Sequence, residues 1–192
     1  MGILCGIDEA GRGPLAGDLV IAGCILNAVV DGLNDSKKLS QKKRESLYEK
    51  IVLNAVFHVV RFSPKTIDEK GISYCLKTGL QEIMSELNTS QYLFDGNTNF
   101  GVYNLQTMIK ADAKIPEVSA ASIIAKVTHD RDLLQQAKKY PQYHFEKHKG
   151  YGTKLHIQMI KEHGYCPLHR RSYKIKALET SKTHSKLTPF VI

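Results

Sequence analysis

Cysteine is scarce in this sequence and placed poorly for joint work. The four cysteines, Cys5, Cys24, Cys75 and Cys166, lie far apart and form no C-x-x-C pair. That excludes the usual spacing of a structural zinc site. A disulfide framework is equally unexpected at 192 residues, a length that buries an ordinary core unaided. Free thiols in a reducing compartment are the expectation. Long apolar runs are missing too. No stretch reaches the roughly 18 residues that cross a bilayer as a helix. The start carries no basic-then-apolar leader, and MGILCG has Gly2 but no Ser or Thr at position 6, which argues against N-myristoylation. A cytoplasmic protein with no membrane partner is expected, a monomer by default. Internal repeats, low-complexity blocks and interdomain linkers are absent from the sequence. The reading is one domain over 1–176, then a polar, poorly periodic stretch, 177–192, expected to be a loosely held tail.

Positive charge is what the chain has in excess. Lys plus Arg number 27 against 19 Asp plus Glu, a formal charge of +8. Such a balance suits a polyanionic partner, because neutralising phosphates releases their counterions. It is equally compatible with a basic protein of another kind.

The hydrophobic pattern predicts alternating strands and helices. Ile3–Ile7 is a continuous apolar run, as in a strand buried on both faces. Asp18–Leu26 is a second, and the Gly- and Pro-punctuated turn between them suggests a hairpin-like return. Ser40 reads as the N-cap of an amphipathic helix. Val56–Phe62 reads as a third strand, with Ser63-Pro64 starting another helix and helical spacing continuing over Ile72–Leu87. Gln91–Asp95 is a short strand, and Val102–Asp112 contains a fifth. Pro116 and Glu117 open the strongest helix, Glu117–Lys139, whose SAASIIAK segment is small-sided enough to approach a sheet closely. A last helix is expected over Lys154–Glu162. The sum is an α/β domain with a mixed sheet covered by helices.

Carboxylates fall at the ends of these strands: Asp8 and Glu9 after the first, Asp95 after the fourth, Asp112 between the fifth and the long helix. Ligands of open α/β sheets gather beyond strand ends, so these acids can converge. Converging carboxylates repel one another and raise their own pKa values, a cost that a hard divalent cation with a preference for oxygen removes. Taken singly, each acid is also an ordinary surface or turn residue, and periodicity alone does not establish convergence. The turn that follows, Gly11-Arg12-Gly13, is bare: glycines let backbone groups meet a ligand with no Cβ in the way.

Taken together, the motifs resemble type 2 ribonuclease H, the bacterial ribonuclease HII family. They are GIDEAGRGPLAG (Gly6–Gly17), DSKKLS (Asp35–Ser40), FDGN (Phe94–Asn97), KADAKIPEVSAASIIAKVTHDR (Lys110–Arg131), HKGYGTKLH (His148–His156) and GYCPLHRRSY (Gly164–Tyr173), in family order and over nearly the whole chain. The resemblance implies a ribonuclease H-like fold: a central mixed five-stranded sheet flanked by helices, with a helical C-terminal part. It implies that Asp8, Glu9, Asp95 and Asp112 are the catalytic, metal-holding acids, with two Mg²⁺ or Mn²⁺ ions in the active complex. It implies an endoribonuclease that hydrolyses the RNA strand of RNA–DNA hybrids and cuts 5′ of single ribonucleotides in duplex DNA, leaving 3′-hydroxyl and 5′-phosphate ends. Roles in ribonucleotide removal and RNA primer removal follow from that. Gly11, Arg12 and Gly13 would read the ribose, whose 2′-hydroxyl separates RNA from DNA. Tyr151 would pack on the following deoxyribose, and Lys37 and Lys38 would meet backbone phosphate.

Some residues depart from the family pattern: Asp18 stands where proline is usual and His129 where arginine is frequent. Lys42, Lys43 and Arg44 read as a solvated helix face, and Lys147, Lys149 and Lys154 as an extension of the basic track. Asp130 reads as a structural salt bridge or cap, Asp35 as a turn cap. His148, His156 and His169 read as nucleic-acid contacts or helix-end residues. Two other function classes stay open on the residues alone: a DNA nuclease of the same fold, which would have no use for a ribose-reading turn, and a binding module without catalysis, which would not need the acids.

Overall fold

The computed structural model describes residues 2–179. Its centre is a five-stranded sheet of order β3-β2-β1-β4-β5, built from β1 (Leu4–Ala10), β2 (Leu19–Leu26), β3 (Ala55–Phe62), β4 (Gln91–Asp95) and β5 (Gln106–Met108). The first three strands pair antiparallel, while β1–β4 and β4–β5 pair parallel, so the sheet is mixed as expected. Four helices cover it: α1 (Gln41–Leu53), α2 (Pro64–Lys70), α3 (Ile72–Glu86) and α4 (Pro116–Ala137). A C-terminal part adds α5 (Phe145–His148), α6 (Lys154–His163) and α7 (Lys176–Glu179). No described helix is long and apolar enough to cross a membrane.

Local chemistry sets most boundaries. Ser40 and Ser63 cap α1 and α2 by accepting hydrogen bonds from the backbone N–H of Lys43 (3.3 Å) and Thr66 (3.2 Å). Pro64 and Pro116 sit in the first turns of α2 and α4, where a missing N–H costs nothing.

The two sheet faces bury separate cores. Alternation along β1 sends Cys5 and Ile7 to the face covered by α2 and α3, where they meet Ile67, Leu76, Leu80 and Ile83. The opposite face lies against α4, whose Ala120, Ala121, Ile123 and Ile124 are fully buried with Leu47 and Ile51 of α1. The small-sided segment of α4 lets it approach β1 almost to backbone contact. A Cβ at Gly6 would lie 2.3 Å from the carbonyl carbon of Glu117 and the nitrogen of Val118. Only glycine fits there.

A third core joins Tyr143, Phe145, Met159, Cys166 and Leu168 to Ala16 of the β1–β2 connection and Leu133 of α4. The hairpin-like return expected between β1 and β2 is present, since the two strands are antiparallel neighbours, but its connection is not a tight turn. Residues 11–18 form a wide loop clasped by the C-terminal part through an Ala16–His169 bridge. Leu15 donates to the Gly150 carbonyl, Gly17 to that of Leu168, and Arg170 to that of Leu15, each at 2.8 Å. The fifth strand, Gln106–Met108, lies within the expected stretch and is short, with Asn104 and Lys110 at positive φ on either side of it. Two smaller corrections follow. The long helix ends at Ala137 rather than Lys139. Arg44 is not part of a solvated face, since its guanidinium donates to the carbonyls of Ser36 (2.8 Å) and Leu39 (2.5 Å) and holds the 35–40 loop. The four cysteines are free and buried. The expected tail falls mostly outside the described residues.

Gly6→Ala tests the α4–β1 contact. Neither neighbour is a side-chain end that can swing aside, so the methyl must part helix from strand. Overpacking of this kind costs about 2–3 kcal/mol. A thermal melt is expected to fall by about 4–10 °C for a domain of this size.

Candidate active site

The parallel pairing of β1 with β4 places two acids side by side. Ile7 and Phe94 are register partners, so Asp8 and Asp95 follow them at the carboxyl ends of neighbouring strands. Leu93 packs with Val118 of α4, which puts Asp95, two residues on, toward the same helix as Asp8. Asp112 comes from a single 3-10 turn, Ala111–Ala113, just before α4. That turn is tied to β4 because Asp95 Oδ1 accepts from the Ala111 N–H at 3.1 Å, and to α4 because the Ser119 hydroxyl donates to the Asp112 carbonyl. One carboxylate oxygen from each of Asp8, Asp95 and Asp112 lies within 4.8 Å of the others.

Such a cluster resists ionisation. Burial, then the charges of Glu9 and Asp95, push Asp8 well above the ordinary carboxylate range, against help from Ser122 and the Glu9 N–H. Burial, then Asp95 and Asp35, raise Asp112 to about 6. Burial raises Glu9 to about 7 in spite of Arg12. A hard divalent cation relieves this cost, since it prefers carboxylate oxygens. The donor set fits one, and a further sign is Glu9 Oε2, a buried oxygen with no hydrogen-bond partner among the described residues.

Alternation along β1 puts Glu9 on the other face of the strand from Asp8 and outside the three-acid cluster, yet it lines the same cleft and feels the charge of Asp95. Its Oε1 pairs with Arg12 Nη1 at 3.3 Å, and the Arg12 guanidinium lies 5.4 Å from the Phe100 ring centroid. Gly11 has φ +89°, and a Cβ there would meet the Asp18 carbonyl oxygen at 2.4 Å. Glycine is therefore required by the fold. At Gly13 a Cβ would meet nothing within 4 Å, so that space is open toward the cleft. The turn is held from behind. Arg170, fully buried, donates to the Gly17 carbonyl at 2.7 and 3.0 Å and to the Arg12 carbonyl at 3.3 Å, and the Tyr173 hydroxyl donates to the Arg12 carbonyl at 2.7 Å.

One cleft joins these groups. Asp8, Glu9, the Gly11–Gly13 turn, Ser36, Lys37, Ser122, Lys126 and Tyr151 line it. Lys37 is raised above its ordinary value: burial opposes its charge, but Asp8, Asp112, Asp35 and Asp95 together outweigh that. Lys38, expected beside it, is exposed and does not line the cleft. Tyr151 is 45% exposed, with Lys126 Nζ 5.6 Å from its ring centroid. Asp130 anchors that lysine at 2.8 Å and also meets His129 Nδ1 at 3.0 Å, the structural ion pair expected of it. Asp35 accepts from the Lys37 N–H at 2.8 Å and so closes a turn, as expected.

Ser36, Ser122 and Lys126 were not singled out by the sequence. Ser122 and Lys126 lie one helical turn apart, so α4 presents both on one side. Only the small-sided character of the segment hinted that its side chains meet the sheet's functional end. Arg170 and Tyr173 lie in the GYCPLHRRSY motif, but their hold on the glycine turn carried no local signal, since Gly17 and Arg12 lie more than 150 residues away in sequence. For His148, His156 and His169 the nucleic-acid reading is corrected, since they are 6, 0 and 2% exposed, while the helix-end reading holds for His148, the last residue of α5, and His156, in the first turn of α6. Their spacing concealed a shared core because the loop and helix between them fold the three rings together.

Known proteins share this arrangement. A sequence profile of the family described as Ribonuclease HII matches residues 5–176. A ribonuclease HII of Sulfurovum sp. (strain NBC37-1) is 58% identical over 176 residues, covering 92% of this chain and 94% of that protein. Among solved structures, the complex of PCNA with ribonuclease HII from Archaeoglobus fulgidus superposes with a TM-score of 0.78 at 31% identity, covering 91% of this chain and 96% of that one. Ribonuclease H2 of Pyrococcus horikoshii OT3 superposes with a TM-score of 0.74 at 26% identity, over 97% of this chain and 100% of that one. The sheet and its helices are thus a ribonuclease H-like α/β fold. This chain belongs to the ribonuclease HII family and is a metal-dependent ribonuclease of the ribonuclease H type.

Proposed function

We propose that this protein hydrolyses the RNA strand of RNA–DNA hybrids and incises duplex DNA on the 5′ side of single ribonucleotides. The reading rests on one juxtaposition: a glycine turn with open space at Gly13 borders the cleft lined by Asp8 and Glu9. Asp8, Asp95 and Asp112, with Glu9 beside them, hold Mg²⁺ or Mn²⁺. Divalent ions bound there supply a nucleophile at neutral pH and offset charge on the reacting phosphate in the two-metal scheme. The chain's own residues do the selecting. Backbone groups of Gly11–Gly13 meet the 2′-hydroxyl, a contact that deoxyribose cannot return. Arg12, 44% exposed along its side chain, can exchange Glu9 for a phosphate. Lys37 and Lys126 meet backbone phosphate from two sides of the cleft, and Tyr151 packs on the deoxyribose that follows the ribonucleotide. A monomer in the cytoplasm, removing ribonucleotides and RNA primers from DNA, is the corresponding cellular role. A DNA nuclease is disfavoured because the cleft places a bare glycine turn, held from behind by Arg170 and Tyr173, where a DNA enzyme has nothing to read.

The direct test incubates a labelled duplex carrying one ribonucleotide, and an all-DNA control, with Mg²⁺ or Mn²⁺ and then with chelator. Metal-dependent cutting 5′ of the ribonucleotide with the control intact is expected. Cutting of the control would favour a DNA nuclease, and binding without cutting a non-catalytic module.

Gly13→Ala separates recognition from folding. The fold has room for the methyl, so the melting temperature should stay within about 2 °C of the parent, as for surface changes of ~0.5 kcal/mol. Cleavage at a single ribonucleotide should fall about 10- to 100-fold, the worth of one or two lost polar contacts. A variant of full activity would remove the turn from recognition.

The acids also predict a pH signature. Asp8, Glu9 and Asp112 bind protons more tightly in the folded chain than at their ordinary values of 3.8–4.5. Without metal, their contribution to stability therefore declines as pH rises through about 6 to 7. Asp8→Asn removes one charge from the cluster. In chelator, the variant should gain melting temperature relative to the parent between pH 5 and pH 8, and it should lose the stabilisation that Mn²⁺ gives the parent. A gap that does not change with pH would mean the cluster carries no repulsion.

A further inference from the structure

The cleft does not use His148, His156 and His169, yet they lie directly beneath the Tyr151 loop. The rings of His148 and His156 stack at 4.2 Å, and Phe145 packs edge-on against both. Their hydrogen bonds favour one protonation pattern. His169 Nδ1 accepts from the Cys166 backbone N–H at 2.9 Å, with the Cys166 Sγ at 3.1 Å and the Cys166 carbonyl oxygen farther off at 3.3 Å, which places its proton on Nε2. That nitrogen is 3.1 Å from His156 Nε2 and donates to it. His156 then carries its proton on Nδ1, which lies 3.0 Å from the Tyr151 carbonyl. A carbonyl only accepts, so the far end independently demands the same tautomer. The relay runs in one direction, from the Cys166 N–H through His169 and His156 to Tyr151. His148 is fixed likewise, with Nδ1 accepting from the Gly150 N–H at 3.3 Å and Nε2 donating to the Tyr143 carbonyl at 2.9 Å.

The loop is tied on its other sides as well. Tyr151 donates to the His148 carbonyl at 2.9 Å, and Thr153 to the Tyr151 carbonyl at 2.8 Å. A Cβ at Gly150, where φ is +81°, would lie 2.2 Å from the Ala16 carbonyl oxygen, so the loop cannot settle inward. Three apolar side chains would fill this core as well and would need no polar partners. Every ring nitrogen here has one, and the relay ends on the backbone of a cleft residue. Burial and the neighbouring imidazoles push His156 down to about 4, which leaves it neutral near pH 7.

We propose that His156, oriented by His169, is a positioning residue for substrate recognition: the relay fixes the Tyr151 backbone and with it the placement of the ring in the cleft. The inference rests on the reading of Tyr151 as the residue that packs on the deoxyribose after a ribonucleotide. A held ring favours a ribose-to-deoxyribose junction, and a loose one does not.

The test begins with the parent protein. Nitrogen-15 NMR of the imidazoles is expected to show His156 protonated on Nδ1 and His169 on Nε2; the opposite tautomers would overturn the relay outright. Two polar variants then divide His156 by atom. His156→Asn places an amide donor where Nδ1 stood and keeps the link to Tyr151, whereas His156→Gln reaches the Nε2 position and loses it. The readouts are the carbon-13 ring resonance of Tyr151 and the ratio of kcat/KM on a single-ribonucleotide duplex to that on a continuous RNA–DNA hybrid. His156→Gln should move the resonance and lower the ratio about tenfold, the worth of one hydrogen bond, while His156→Asn recovers most of both. Equal losses in the two variants on both substrates, tracking melting temperature alone, would reduce the histidines to core packing and overturn the proposal. Tyr151→Ala separates the two readings. If it leaves the ratio unchanged, the role given to Tyr151 fails. If it lowers the ratio while His156→Gln does not, the positioning role fails and Tyr151 stands.

Discussion

The parallel pairing of β1 with β4 is the constraint on which the rest of the structure depends. It sets Asp8 and Asp95 beside each other at the same end of the sheet, and α4 then has to deliver Asp112 to the same place. The helix can do so only because Gly6 has no side chain and because residues 119–122 are small, so helix and strand meet almost backbone to backbone. The acids and the packing are therefore one design. The stretch of β1 that seats the helix leads within two residues to the first carboxylate.

The cost of that design is electrostatic. Carboxylates that share a buried end of a sheet hold protons that water would take from them. Lys37 and Arg12 offset part of the charge from outside the cluster, Lys37 facing the aspartates and Arg12 facing Glu9. A metal-dependent ribonuclease gains from leaving the remainder uncompensated, because the same repulsion that weakens the metal-free fold favours a divalent cation.

The C-terminal part works from behind the cleft. Arg170 and Tyr173 grip the carbonyls of the glycine turn, and the buried histidines reach the backbone of Tyr151. Both elements read as recognising the substrate are loops, and loops are free to move unless their backbones are held. The histidines pack in a satellite core centred on Tyr143 and Phe145, whereas Tyr173 packs against the core between the sheet and α3, so the two loops are held from different cores.

Much of this was legible in the sequence, and what was not has a physical cause. Apolar runs, serine caps and prolines marked the strands and helices, because hydrophobic period and capping are local properties. The order of motifs identified the family, and strand-end carboxylates marked the acids. Local pattern cannot give the distance between residues 8, 95 and 112, which depends on strand order and register, nor can it show that Glu9 turns to the other side. The antiparallel return from β1 to β2 was legible in its glycines and proline, but the clasp on that connection consists of hydrogen bonds to residues 150 to 170, invisible to any short window. The burial of the histidines was hidden for the same reason, since spacing does not reveal it. The sequence by itself determined the elements, the family and the candidate acids, because these follow from short-range chemistry. Only the tertiary structure decided which side chains share the cleft, which hold its loops from behind and which lie buried beneath it, because those relations are set by packing between segments far apart in the chain.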